Sequence, residues 1–172
     1  MPKVSNVLSG NIIDGWTEFF GAVAGATSAL TGLVFVSLSI NLAQIIKLPG
    51  LSGRAAETIF LLAGALCVSL VALAPHQTAF SLGLTVLVFA LPVWLCPVVI
   101  ERRALRSSIG EGRALRLLHI FLHQVATLPA VIGGVLLVGS VQGGVLCLAA
   151  GCVAAMVVGI INAWVLLVEI LR

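Results

Sequence analysis

Apolar residues run through this chain in long blocks, and the polar ones gather at a few breaks between them. A helix needs about 20 apolar residues to cross a hydrocarbon core roughly 30 Å thick. Five stretches meet that length: 16–46, 55–74, 79–100, 117–138 and 145–171. The first, as one helix of about 45 Å, must tilt or protrude. Pro75–Thr78 reads as a tight turn between the second and third. Residues 117–171 are far too long for one crossing, and the Gly-rich segment Gly139–Gly144 divides them in two. The pattern predicts an all-α integral membrane helical bundle of five transmembrane helices in one domain.

Composition agrees. Apolar residues make up 60% of the 172 and charged ones 9%, against about 25% charged in ordinary soluble domains. Five of the nine cations (Arg102, Arg103, Arg106, Arg113, Arg116) fall between the third and fourth stretches. Lys and Arg concentrate in cytoplasmic loops. Placing Glu101–Arg116 inside also puts Lys47, Arg54 and Arg172 inside and only Lys3 outside, eight against one. The expected topology is N-out/C-in in a bacterial inner membrane. Met1–Gly10 carries one Lys and no apolar segment of signal-peptide form.

That arginine cluster adjoins two spans and lacks interleaved aromatics, so it indicates lipid headgroups and no nucleic acid. Cys67, Cys96, Cys147 and Cys152 lie inside apolar runs without CxxC spacing, as small packing residues do. No catalytic motif, metal set or cofactor fingerprint is present, and the expectation is a non-enzyme without cofactors.

Small residues stripe two spans. In the first, Glu18, Gly21, Gly25, Ser28, Gly32, Phe35 and Ser39 recur at alternating steps of three and four. In the fifth, Gly151, Ala155, Gly159 and Ala163 repeat every fourth position. Such ladders let helix backbones approach closely in lipid, within a bundle or between copies. The first span is also the most polar, with Thr27, Ser28, Thr31, Ser37, Ser39 and Asn41. Ser and Thr can bond back to the preceding turn; Asn41 calls for an interhelical partner. Asp14 and Glu18 stand at its outer mouth, where carboxylates suit the helix dipole or an acidic ring.

Depth along the spans places Asn41, Gln44, Glu57, His119, His123, Gln124 and Asn162 in one half of the bilayer. Glu57 can pair with Arg54 one turn before it. His119 and His123 share a helix face at a spacing that suits metal, but no further ligand completes a set. His123, the deeper, is a candidate for proton or ion contact. Pro92, Pro97 and Pro129 mark bends tolerated within spans.

Phe35–Leu42 (FVSLSINL), followed by Leu48–Pro49, Gly53–Ala55 and Glu57, with Pro75 and Gln77 beyond, resembles a group of small uncharacterised bacterial membrane proteins. Some of these are labelled modulators of the FtsH membrane protease. The likeness covers about residues 20–77 and implies a shared fold without catalytic residues. Thr27–Leu30 and Gly32 are also similar to the pore helix of store-operated calcium-channel subunits. Those have four spans, a cytoplasmic N-terminus and a glutamate ring, so no selectivity residue carries over.

Two functions are in view. One is a homo-oligomer forming a small ion or solute pathway, with Glu18, Thr27, Ser28, Thr31, Asn41 and His123 along it. In that reading Gly21, Gly25, Gly32, Gly151, Ala155 and Gly159 pack helices. The other is a non-catalytic accessory subunit bound to another membrane protein, such as a protease.

Overall fold

A computed structural model of the protein describes residues 13, 15–47, 51–107, 113–141 and 143–171. They form six helices: α1 (Thr17–Ile40), α2 (Leu42–Ile45), α3 (Leu51–Ala72), α4 (Ala79–Ser107), α5 (Arg113–Val138) and α6 (Gly144–Leu171). No strand occurs among the described residues. α1, α3, the Leu117–Val138 part of α5 and the Gly144–Glu169 part of α6 are each long and apolar enough to cross a membrane. α4 carries a shorter apolar segment, Ala79–Leu95.

The helix ends depart from the hydropathy boundaries at two places. The stretch 16–46 is not one helix: α1 stops at Ile40 and the single turn of α2 follows. At the break, both the backbone N–H and the Nδ2 of Asn41 donate to the Ser37 carbonyl, at 3.3 and 2.9 Å. The amide thus closes its own helix end, where an interhelical partner was expected. The segment Glu101–Arg116, read as a loop, is largely helical, because α4 runs on to Ser107 and α5 begins at Arg113. Ala, Leu, Arg and Glu are strong helix formers, so helicity there outlasts hydrophobicity. The side chains of Arg102, Arg103, Arg106, Arg113, Arg116 and Cys96 lie outside the described residues, as do Lys3, Asp14, Leu48–Pro49, Gln142 and Arg172.

Turns fall at Pro75–Thr78 and, between α5 and α6, at residues 139–141 and 143. Thr78 starts α4 as its cap, its Oγ1 accepting the Ser81 N–H at 3.2 Å. Ser140 (φ 54°) and Gly143 (φ 99°) reverse the chain into α6. Pro92 and Pro97 sit inside α4 and Pro129 inside α5, both helices continuing through them.

α3, α4, α5 and α6 pack in a ring, each against two neighbours, so that α3 faces α5 and α4 faces α6 across it. Close backbone approach seals the ring. A Cβ on Gly83 would stand 2.7 Å from the Gly134 carbonyl, and one on Gly133 2.8 Å from the Gly144 carbonyl. Gly151 abuts Ala130, and Gly159 abuts Leu62. The void between the four helices, lined by Leu61, Ala65, Ala90, Ala126, Gly151 and Cys152, holds about 30 Å³, space for one or two waters. α1 lies outside the ring, mainly against α3. It buries only Phe20, Val23, Ala24 and Thr27, all in its first half.

Candidate functional site: a carboxylate between two imidazoles

The inward face of α3 runs through Leu61, Leu62, Ala65, Val68 and Ser69, all buried. Extended one turn toward the start of α3, that face reaches Glu57. On α5 the four-residue step carries His119, His123 and Thr127 down one side, with His123 and Thr127 buried. The two helices stand opposite each other, and Glu57 spans the gap. Its Oε2 lies 2.8 Å from His119 Nε2 and its Oε1 2.9 Å from His123 Nδ1. Glu57 and His119 side chains are each 13% exposed and His123 3%. Glu57 lies six residues into α3 and His123 six residues into the apolar stretch 117–138, each about 9 Å from that start.

The two contacts differ in kind. His119 Nε2 and Glu57 form a hydrogen bond. His123 Nδ1 approaches at ion-pair distance, outside hydrogen-bond geometry, and His123 Nε2 meets no hydrogen-bond partner among the described residues. Neighbouring hydroxyls are satisfied locally: Thr127 Oγ1 donates to the His123 carbonyl at 2.8 Å and Thr58 Oγ1 to the Arg54 carbonyl at 2.9 Å. Among the described residues no three His, Cys, Asp or Glu side chains converge as a metal set. The carboxylate stands between the rings as a counter-charge.

Arg54 does not serve Glu57 in the way its spacing suggests. Its Nη1 reaches Glu169 of α6 at 3.2 Å, in a pair 36% and 43% exposed. The sequence reading did not single out Glu169. Nor did it pair Gln124, whose Oε1 accepts the Trp94 indole N–H of α4 at 2.6 Å. The shared depth of Glu57, His119, His123 and Gln124 was the available signal; their partners depend on which helices are neighbours.

The residues proposed for a pathway separate. Thr27 is buried, and its hydroxyl donates to the Val23 carbonyl at 2.7 Å. Thr31 is partly buried and donates to the Thr27 carbonyl at 2.6 Å. Glu18, Ser28 and Ser39 are exposed on α1, with the Ser39 hydroxyl returned to the Phe35 carbonyl at 2.8 Å. His123 belongs to the ring. The two small-residue stripes separate as well. Gly151, Ala155 and Gly159 are buried in contacts of α6 with α5 and α3. A Cβ on Gly21, Gly25 or Gly32 would meet nothing within 4 Å. Compared with protein families, curated proteins and solved structures, the chain finds no match.

Proposed function

We propose that this protein is a homo-oligomer whose α1 helices pair along their open face and line a small ion or solute pathway. The observation that carries the reading is the seam Glu18, Gly21, Gly25, Ser28, Gly32, Phe35 and Ser39. Its members other than Phe35 are small or polar, and all seven are exposed in the single chain. Steps of three and four average 3.5 residues, the repeat that keeps one helix face turned toward a partner in a left-handed coil. From Glu18 to Ser39 the seam extends about 32 Å, the full hydrocarbon thickness. In lipid, small residues drive helix association through close dispersion contact.

A pathway between copies also suits the protomer, whose four-helix ring encloses only the small apolar void described above. Glu18 then stands at one mouth, where a ring of carboxylates attracts cations. The reading includes α4 as a fifth crossing, with the N-terminus outside and the arginine-rich end in the cytosol of a bacterial inner membrane.

Native mass spectrometry of protein in mild detergent tests it, together with ion flux into liposomes. Wild type is expected as a closed oligomer with measurable flux, and Ser28→Leu as an oligomer with flux reduced. Gly25→Leu, at a position where an added Cβ meets nothing within 4 Å, is expected as a folded monomer. A wild-type monomer without flux overturns the proposal. A single copy bound to a different membrane protein moves the reading to an accessory subunit.

A further inference from the structure

We propose that Glu57, His119 and His123 form a proton-binding site inside the helix ring, in which one proton shared by the two imidazoles neutralises the carboxylate and braces α3 to α5. This inference does not rest on the reading of α1.

The argument begins with charge. Glu57 is held 2.8 and 2.9 Å from two ring nitrogens in a stretch with low exposure and apolar flanks. With both rings neutral the cluster carries one negative charge, and a low-dielectric setting penalises net charge heavily. One proton from water, added to a ring-nitrogen lone pair, brings the cluster to zero. No other bond breaks, and no oxidant or metal is required. Histidine is the side chain whose charge changes nearest neutral pH.

The second observation is His123 itself. It is 3% exposed, and among the described residues neither ring nitrogen has a partner in hydrogen-bond geometry. A buried polar group without a partner is costly in the neutral state. Protonation turns the 2.9 Å approach of Nδ1 to Oε1 into an attraction between opposite charges.

The other charged groups whose side chains are described do not supply that counter-charge. On α3 and α6 the described ones nearest this end are Arg54 and Glu169, which engage each other. α4 presents no titratable residue between Ala79 and Leu95, and its Trp94 is committed to Gln124. On α6, Cys152 lies farther along the ring, against Ser69 at 3.8 Å.

The test uses full-length protein in nanodiscs, with its histidines labelled with nitrogen-15, taken from about pH 4 to about pH 9, the range that spans ordinary histidine and carboxylate titration. Wild type is expected to take up one proton in a step that the His119 and His123 rings report together, as coupled sites do. In Glu57→Gln that shared step is lost, and at least one ring stays neutral throughout. His76, exposed in the turn after α3, serves as the internal reference. Two results overturn the proposal. One is that both rings in wild type keep one protonation state across the range. The other is that Glu57→Gln titrates as wild type does. The wild-type arm stands even if the variant fails to fold, and His119→Gln supplies a second: His123 is then expected to titrate alone.

Discussion

A single methyl group added to Gly83 distinguishes backbone contact inside the ring from open space on α1. The new Cβ would stand 2.7 Å from the Gly134 carbonyl oxygen, 2.7 Å from the Val138 nitrogen and 2.9 Å from Leu137 Cβ. Ordinary carbon contacts settle at about 3.5–4.0 Å. Relief requires α4 and α5 to separate locally by about 0.8 Å, and two of the three obstructing atoms are backbone that no rotamer change can move. Overpacking of this kind costs about 1–3 kcal/mol. The helix-propensity gain of Gly to Ala, about 1 kcal/mol, offsets part of it. Gly25→Ala receives the same gain with no clash, since nothing lies within 4 Å. Unfolding in mixed micelles, followed by far-ultraviolet circular dichroism at a protein dilution that keeps the chain monomeric, compares the two. Gly83→Ala should be less stable than Gly25→Ala by about 1–3 kcal/mol. Equal stabilities would refute the α4–α5 packing and the ring built on it.

Three further outcomes are expected. Glu57→Ala removes a carboxylate held between two imidazoles and should cost about 3–5 kcal/mol, while Arg54→Gln, which breaks a pair more than a third exposed, should cost under about 1 kcal/mol; the same unfolding assay reads both. Trp94→Phe removes the 2.6 Å bond to Gln124 and should cost about 1 kcal/mol, with the loss shared by Gln124→Leu in a double-mutant cycle. His76 holds φ 58° in the turn after α3, so His76→Gly should stabilise by about 1 kcal/mol, seen as a raised unfolding midpoint.

Hydropathy located the helices but not their ends or their neighbours. The turn at Pro75–Thr78 and the Gly-rich break before α6 were legible because proline, glycine and a polar run interrupt apolar blocks there. The end of α1 at Asn41 was not, since Leu42, Ala43, Ile45 and Ile46 keep the run apolar while the backbone has already turned. Depth along each span gathered Glu57, His119, His123 and Gln124, yet their partners depend on the order of helices around the ring. Local spacing therefore favoured Arg54 for Glu57, whereas the packing of α3 against α6 gives Arg54 to Glu169. The contacts of Gly83 and Gly133 were also invisible. Neither belongs to a four-residue ladder, and each matters through a backbone on another helix.

The glycines of this chain sort by what opposes them. At Gly83, Gly133, Gly134, Gly144, Gly151 and Gly159 an added Cβ would fall within 3 Å of another residue, so each glycine is accounted for by the ring. Gly64 sits at ordinary contact distance from Val93, and Gly53 lies in the open first turn of α3. Of the glycines within the described helices, Gly21, Gly25 and Gly32 remain, in the interior of a 24-residue helix. Each weakens an isolated helix by about 1 kcal/mol relative to alanine, and no contact among the described residues offsets that. Thr27 and Val23, between them in the chain, point into the α1–α3 contact, so the two faces of α1 have different uses. Under the proposed pairing, a helix surface from a second copy, approaching as closely as α5 approaches α4 at Gly83, would supply the compensation that the single chain lacks. If crosslinks between cysteines placed at Gly21 and Gly25 of neighbouring copies never form in the membrane, those glycines have no such partner and the seam loses its meaning.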